Sequence, residues 1–327
     1  MKIHALKIII AYLLFIIAVS GCSATAKGTT AKAPASERSI TAIKYDSALP
    51  STNFFHSEKV NENIVRIRGV AGELMYLVKG TNKAFLIDAG TGLGDLSAYV
   101  KQLTSKPVTV IITHGHVDHA FGAANFDDVY MNHADDSLYI AHSNPEVRKG
   151  FLKTSSRDSD KINDSDFVKA TSPSKFKDLK DETVFDLGGT TLEAYHFGGH
   201  TPGQVAVLFR EQRILLTGDG ANQFTFLFSN PSSGVDSYEK ILKTLLAKTN
   251  GKFDRIFVSH GPGNASKELL SNLIALCEDI KAEKTDDVPF EFMGMKEYIA
   301  RKVDFNTMRR EDGIEGDIVY SKDQVNK

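Results

Sequence analysis

The pattern of apolar and polar residues predicts short strands that alternate with amphipathic helices. Period-two alternation and short apolar runs predict strands at residues 64–68, 74–79, 84–88, 108–112, 183–187, 190–197, 204–210 and 213–217. Apolar residues at helical spacing predict helices at residues 94–103, 237–249 and 266–283. The Gly188-Gly189 pair is typical of a hairpin turn. This order of elements fits an α/β (α+β) protein built as a four-layer αββα sandwich.

Two other stretches carry weaker patterns. Residues 134–153 have helical spacing, whereas residues 155–166 are polar and charged and are typical of a mobile loop. Near the C-terminus we predict a short helix at about residues 293–301. A terminal pair of strands is predicted at residues 303–307 and 317–321.

The N-terminus has the pattern of an export signal. Lys2 and Lys7 precede an apolar run over residues 8–19. This run is shorter than a membrane-spanning helix, which needs about 20 residues. Small residues then precede Cys22, and this order resembles a bacterial lipoprotein signal, cleaved before Cys22 and lipidated on that residue. An ordinary secretory signal with an incidental cysteine is the alternative. We therefore expect an exported protein, attached through lipid on Cys22 to the cell membrane or the outer membrane.

The chain is predicted to have four parts. Residues 1–21 form the signal peptide, and residues 22–50 form the lipid anchor and a flexible tether rich in Ala, Ser, Thr and Lys. Residues 51–285 form the folded domain, and residues 286–327 form a C-terminal extension packed on the same domain.

Composition narrows the class of protein. Lys and Arg total 39 against 41 Asp and Glu, and the two signs are interspersed, so a nucleic-acid partner is not expected. Besides Cys22 the chain has only Cys277, whose apolar neighbours at helical spacing predict a buried core residue. The expected partner is a small-molecule substrate, and the oligomeric state is left open.

The densest chemistry lies directly after the strand predicted at residues 108–112. The motif Thr-His-Gly-His-Val-Asp-His over residues 113–119 places His114, His116, Asp118 and His119 on one loop. Imidazole nitrogens and carboxylate oxygens are the usual ligands of zinc and related divalent metals. A strand end holds such a loop on a rigid sheet, so the motif predicts a metal site.

Three further strand ends supply metal-type side chains. His200, Asp219 and His260 each follow an apolar segment and are flanked by glycines, which allow sharp turns on leaving a sheet. Singly, each has a neutral interpretation as a turn or cap residue. Four strand ends that all carry such side chains indicate a common metal site.

With these positions the chain resembles the metallo-β-lactamase-fold hydrolase superfamily over about residues 60–285. The motif over residues 85–90, Phe-Leu-Ile-Asp-Ala-Gly, resembles the early strand motif of that family. The resemblance implies two Zn²⁺ ions, with iron or manganese as alternatives. It assigns the first metal to His114, His116 and His200. It assigns the second metal to Asp118, His119 and His260, with Asp219 as the bridge.

The resemblance also implies the reaction. Two divalent cations bring the pKa of water to about 7, so that hydroxide attacks the carbonyl of an ester, thioester, lactone or amide-type substrate. Asp118 is expected to orient the nucleophile or carry its proton to the leaving group. Asp219 stands where the zinc β-lactamases of the family have another residue, which favours the other hydrolases. The alternatives are a metallo-β-lactamase acting on β-lactams, a mononuclear iron oxygenase of thiols or persulfides, and a catalytically silent metal-binding envelope protein.

Other residues receive less specific predictions. Phe224, Phe226 and Phe228 follow Asp219 and are expected to fill a core, with an apolar pocket wall as the alternative. His133 and His142 are expected on the surface, with a position that lines the site as the alternative. The insertion over residues 125–180 is interpreted as a cover for the cleft.

Overall fold

The computed structural model describes residues 49–156, 159–228, 231–292, 294–305 and 307–327. The predicted signal peptide, Cys22 and the tether up to residue 48 lie outside the described residues. Among the described helices, none is both long and apolar enough to cross a bilayer.

Strands dominate the described chain. They are β1 (His56–Lys59), β2 (Ile64–Arg68), β3 (Leu74–Lys79), β4 (Ala84–Ile87), β5 (Val108–Ile111), β6 (Val129–Met131), β7 (Lys177–Asp178), β8 (Val184–Asp186), β9 (Thr191–His196), β10 (Val205–Phe209), β11 (Ile214–Gly218), β12 (Phe224–Leu227), β13 (Arg255–Val258), β14 (Asn264–Ser266), β15 (Val288–Phe292), β16 (Met295–Ile299), β17 (Val303–Asp304), β18 (Arg309–Arg310) and β19 (Asp317–Tyr320).

The α-helices lie between these strands. They are α1 (Leu96–Leu103), α2 (Val117–Ala120), α3 (Asp136–His142), α4 (Pro145–Ser155), α5 (Val235–Thr249) and α6 (Leu269–Lys281). Single 3₁₀ turns occur at Phe121–Asn125, His133–Asp135, Ser159–Lys161, Asp164–Asp166, Pro173–Lys175 and Lys322–Gln324.

Two large sheets form the body of the molecule. The first has seven strands in chain order, β1 to β7, antiparallel up to β4 and parallel from there. The second has six strands in the order β14-β13-β11-β10-β9-β8. A third sheet of four strands, β12-β19-β16-β15, is built mostly from the C-terminal part, and β17 pairs with β18 alone.

The cores show how the layers stack. Apolar residues of both large sheets meet in one buried cluster, in which Tyr76 and Phe257 stack with ring centroids 5.1 Å apart. The other face of the first sheet packs against α1 through Tyr99 and Val100. The other face of the second sheet packs against α5 and α6. Because both faces of each sheet are covered, the central strands are apolar throughout, and the predicted αββα sandwich is confirmed.

The C-terminal secondary structure differs from the prediction. Residues 293–301 were expected to be helical, but β15 and β16 pair as an antiparallel hairpin, with Gly294 at the turn at φ 83°. The expected pairing of residues 303–307 with 317–321 is also wrong. Instead, β19 lies between β12 and β16, where Ile318 and Tyr320 join the core against α5 and α6. Burial of these side chains outweighs local pairing.

The helical stretch over residues 134–153 is two helices. Asn144 caps the second helix by accepting a hydrogen bond from the Glu146 amide, and Pro145 occupies its first turn. Proline at this position lacks the amide hydrogen that a continuous helix needs. Cys277 is buried in α6, as predicted, and burial raises the pKa of its thiol.

Candidate metal centre

Loops from both large sheets meet at the site. The loop after β5 carries the 113–119 motif, while His200, Asp219 and His260 follow β9, β11 and β13 of the second sheet. Hydrogen bonds cross between these loops, since the Val205 amide donates to the Thr113 carbonyl at 2.9 Å. The Leu74 amide likewise donates to the Ser259 carbonyl at 2.8 Å. The meeting of the two sheets therefore places side chains far apart in sequence beside one another.

The seven predicted side chains form two adjacent groups. The histidine group consists of His114, His116 and His200. The mixed group consists of Asp118, His119, Asp219 and His260. Within each group the ligand-type atoms lie within 4.8 Å of one another. The rings of His114 and His119 lie 4.0 Å apart, centroid to centroid, and join the two groups.

Neutral oxygen atoms orient the histidine group. His114 Nδ1 lies 3.1 Å from the Thr113 hydroxyl oxygen, and that hydroxyl donates to Asp88. His200 Nδ1 lies 2.9 Å from the carbonyl oxygen of Phe226. These partners assign the proton to Nδ1 in both rings, which leaves the Nε2 lone pairs free to bind a metal.

A buried carboxylate, Asp88, orients the mixed group. His119 Nδ1 donates to Asp88 Oδ2 at 2.8 Å. Asp88 also accepts a hydrogen bond from the Thr113 amide at 2.7 Å, and the Ser259 hydroxyl lies 3.4 Å from it. Asp88 thus contacts two segments that carry ligand-type residues, the 113–119 motif and the loop of His260, and it does so from a left-handed backbone conformation at φ 63°. Such a backbone at a buried site is consistent with a functional requirement.

The electrostatics of the two groups are opposite. Burial and neighbouring imidazoles lower the pKa of His114 and His116 well below the ordinary value, and burial lowers the pKa of His200. In the mixed group burial also opposes charge, but the Asp118 and Asp219 carboxylates outweigh it. They raise the pKa of His119 well above its ordinary value and that of His260 to about 10.

The donor set fits divalent cations. His116 Nδ1 lies 3.1 Å from His114 Nε2 and 2.9 Å from His200 Nε2. These three ring nitrogens converge, and because the two Nε2 atoms carry no proton, at most one of the three is protonated. His119 Nε2 is buried and has no hydrogen-bond partner among the described residues. Buried polar atoms normally have partners, and a bound cation would satisfy these nitrogens. Imidazole and carboxylate donors suit zinc, iron and manganese.

Asp135 holds two of the loops together, a role that the sequence analysis did not predict. Its carboxylate accepts hydrogen bonds from the Gly115 amide at 2.8 Å, the Thr201 hydroxyl at 2.7 Å and the Gly203 amide at 2.6 Å. A β-carbon at Gly203 would lie 2.7 Å from Asp135 Cγ, so this contact requires glycine. Burial raises the pKa of Asp135 in spite of these bonds.

His142 corrects the favoured expectation of a surface position, since it is only partly exposed and lines the site, which was the alternative. Its ring stacks on His116 with centroids 5.1 Å apart and an interplanar angle of 24°. Burial lowers its pKa. The helical spacing of residues 134–153 gave no signal that favoured this contact. His133, by contrast, is partly exposed and bonds to Asp136 at 2.9 Å.

Glu73 is a further residue without a sequence signal. Its carboxyl is buried at the start of β3, where it accepts hydrogen bonds from the amides of Ala71 at 2.9 Å and Thr91 at 3.2 Å. Burial and the charge of Asp118 raise its pKa to about 7. The carboxyl therefore lies close enough to the mixed group to respond to it.

Comparisons with known proteins agree with this geometry. The model of the metallo-beta-lactamase superfamily matches residues 68–260, more than half of the chain, so the chain belongs to this superfamily. Human acyl-coenzyme A thioesterase MBLAC2 (Homo sapiens) is 24% identical over 211 residues, which covers 57% of this chain and 72% of that protein. Hydroxyacylglutathione hydrolase GloC of Haemophilus influenzae is 24% identical over 190 residues, covering 55% of this chain and 80% of its own.

Solved structures support the fold. A metallo-beta-lactamase from Pontibacter korlensis has a TM-score of 0.50 at 20% identity, covering 68% of this chain and 97% of that chain. The inverting sec-alkylsulfatase Pisa1 from Pseudomonas sp. has a TM-score of 0.52 at 18% identity, covering 69% of this chain and 41% of that chain. The metallo-β-lactamase fold is therefore confirmed. With its family and hydrolase relatives established, the protein is a metal-dependent hydrolase of this superfamily.

Proposed function

We propose that the protein hydrolyses thioesters with two divalent cations, most simply Zn²⁺, bound at the two ligand groups. The observation that carries this proposal is the adjacency of two complete donor sets, one of three imidazoles and one of two carboxylates and two imidazoles. Two relatives named as thioester hydrolases, the acyl-coenzyme A thioesterase and the hydroxyacylglutathione hydrolase, support the choice of substrate class.

The residues divide the work as follows. The histidine group would hold one cation, and Asp118, His119 and His260 would hold the other. Asp219 Oδ2 lies 3.1 Å from His260 Nε2, and its charge also acts on His114 and His200, so Asp219 would serve both cations. When bound, the cations would supply Lewis acidity to the carbonyl oxygen and would acidify water near neutral pH.

Asp118 is placed to handle the proton. Its Oδ2 lies 3.3 Å from His260 Nε2 and 3.5 Å from His119 Nε2. Burial opposes ionisation of Asp118, but these two imidazoles hold its pKa well below the ordinary range. The carboxylate would accept a proton from water whose oxygen adds to the acyl carbon. The carbon–sulfur bond then breaks, and the leaving thiolate receives that proton, giving a carboxylic acid and a thiol.

The test combines metal content with turnover of the purified protein. We expect about two zinc ions per chain by elemental mass spectrometry, and hydrolysis of acetyl and longer acyl thioesters followed by thiol release. Asp118→Asn should lower kcat by about 10²–10⁴-fold, the range for loss of a general acid–base group. Asp164→Asn, at a carboxylate that is 82% exposed, is the matched control and should leave the rate unchanged.

Other stoichiometries would overturn the proposal. One iron per chain with no thioester turnover would favour the mononuclear iron oxygenase. A protein with two zinc ions that opens β-lactams and leaves thioesters intact would favour the β-lactamase. A protein that binds no metal even with zinc supplied would refute the metal centre itself.

We also propose that lipid on Cys22 attaches the protein to the outer face of a bacterial cell membrane or to the outer membrane. The support is the order of charged, apolar and small residues before Cys22. A Cys22→Ser variant should move from the membrane fraction to the soluble fraction. Retention of that variant on membranes after a high-salt wash would contradict lipid attachment.

A further inference from the structure

The third sheet has an aromatic face beside the metal centre. On one side, its strands carry the apolar side chains of Phe224, Phe226, Val319, Ile299, Phe290, Phe292 and Met295. The other side, which includes Leu227, Ile318 and Tyr320, packs in the core against α5 and α6. Helices α5 and α6 therefore bury one side of the sheet, and the aromatic side faces away from them.

Four rings on that side form a cluster, which we call the aromatic face: Phe226, Phe228, Phe290 and Phe292. The Phe226 ring centroid lies 5.1 Å from that of Phe228, 5.9 Å from that of Phe290 and 5.4 Å from that of Phe292. Phe228 is buried, whereas the other three rings are partly exposed. Met295, directly opposite Phe292, is 37% exposed. Adjacent exposed apolar side chains usually mark a binding surface.

Strand β12 ties this face to the metal centre at two points. The Phe226 carbonyl accepts the hydrogen bond from His200 Nδ1 at 2.9 Å, which orients a member of the histidine group. Asn222 Nδ2 lies 3.4 Å from Asp219 Oδ1, and Asn222 Oδ1 accepts from the Phe224 amide at 2.7 Å. The strand that contributes Phe226 to the aromatic face therefore also contacts both ligand groups.

We propose that the aromatic face binds the acyl chain of the substrate, so that the enzyme prefers thioesters of medium or long apolar acyl groups. This inference rests on the proposed thioester hydrolase function. The acyl chain of a thioester begins at the carbonyl carbon that water attacks. Strand β12 connects the metal centre, where the Phe226 carbonyl contacts His200, to the aromatic face. An acyl chain bound along β12 would therefore have its reacting carbon at the metal centre. A membrane surface fits less well, because Glu297 lies on the same side opposite Phe290, and membrane-facing surfaces favour Lys and Arg.

The experiment varies the acyl chain alone. Acetyl, butanoyl and octanoyl thioesters of N-acetylcysteamine share one small thiol, so differences in kcat/KM report the acyl site. We expect kcat/KM of the wild type to rise with chain length. In the Phe290→Ala, Phe292→Ala double variant the loss should grow with chain length, reaching about tenfold or more for octanoyl, because removed apolar contacts change discrimination by this order.

A matched control uses apolar side chains elsewhere on the surface. Val184, which is 55% exposed, and Ile314, which is 46% exposed, can be replaced by alanine in one double variant. This control should keep the wild-type rates for all three thioesters. Both double variants should keep the wild-type metal content and remain folded at the assay temperature, which separates a binding defect from misfolding.

The outcomes separate the two proposals. Equal losses for acetyl and octanoyl, or an unchanged preference in the Phe290→Ala, Phe292→Ala variant, would overturn the acyl site while leaving thioester hydrolysis in place. A wild type that hydrolyses none of the thioesters would refute the proposed function. Calorimetry with octanoate then decides the aromatic face: binding that weakens at least tenfold in the double variant supports it, and equal affinity overturns it.

Discussion

The histidine group and the mixed group lie side by side yet differ in charge. In the histidine group a hydroxyl oxygen orients His114 and a carbonyl oxygen orients His200, and burial lowers the pKa values of all three imidazoles. In the mixed group Asp118, Asp219 and the supporting Asp88 surround two imidazoles, whose pKa values are raised in spite of burial.

This difference predicts how many protons each group releases when it binds a cation. Neutral imidazoles in the histidine group already present lone pairs near pH 7, so cation binding there releases few protons. In the mixed group the imidazoles hold protons that balance the carboxylates, and a cation must displace them. The two halves of one centre should therefore differ in their dependence on pH and on the orienting residues.

The largest effect is expected when the residue that links the two groups is replaced. Asp219→Asn removes the carboxylate whose charge reaches both groups, so bound zinc should fall from two ions to one and kcat/KM by more than about 100-fold. Metal analysis and thioester kinetics on the same preparation check this. Two retained ions with full activity would show that Asp219 does not join the groups.

A smaller effect compares the orienting residues. Asp88→Asn should weaken the more weakly bound zinc ion by about 10–100-fold, because it removes the carboxylate that holds His119 Nδ1. Thr113→Val removes a neutral partner of His114 and should cost less than Asp88→Asn. Zinc affinities measured by competition with a chelator provide the test, and a reversed order would contradict the contrast between the groups.

The pH dependence of metal binding sharpens the comparison. In the metal-free protein the pKa of His260 is raised to about 10 and that of His119 lies well above its ordinary value, so both bind protons at pH 7. Zinc must displace these protons, and its affinity for the mixed group should fall as the pH falls from 8 to 6. Equilibrium dialysis should show one ion lost before the other. Simultaneous loss of both ions would contradict this.

A separate effect, on stability and not on metal binding, concerns a buried carboxyl without an imidazole beside it. Burial raises the pKa of Asp317 to about 7, and its Oδ2 has no hydrogen-bond partner among the described residues. With the folded-state pKa raised from 3.8, its stabilising contribution is full below about pH 4 and is lost as the pH rises through 7. In the mixed group, nearby imidazoles prevent such a shift for Asp118 and Asp219.

Asp317→Asn removes this titration. The free energy of unfolding of the variant, relative to the wild type, should therefore rise between pH 4 and 7, by on the order of 2–4 kcal/mol at one pKa unit per 1.36 kcal/mol. Urea unfolding at several pH values measures it. A flat difference for Asp317→Asn would refute the protonated state.

The strand ends of the metal centre were predictable because each is a local pattern. An apolar run followed by glycine and a ligand-type residue identifies itself within about ten residues, as at His200 and Asp219. The C-terminal errors have the opposite origin. The helix expected near residue 297 and the strand pair expected near residue 305 depended on local spacing, while β19 pairs with β12, about 90 residues earlier.

By itself, the sequence determined the kind of protein: strands and helices in an order that fits two covered sheets, and seven metal-type side chains at the strand ends. Local hydrophobic pattern and side-chain chemistry suffice for both. Tertiary structure alone decided the opposite electrostatics of the two groups, the support from Asp88 and Asp135, the stacking of His142 on His116 and the position of the aromatic face. These features depend on contacts between residues distant in the chain, which form only when the two sheets and the C-terminal strands pack together.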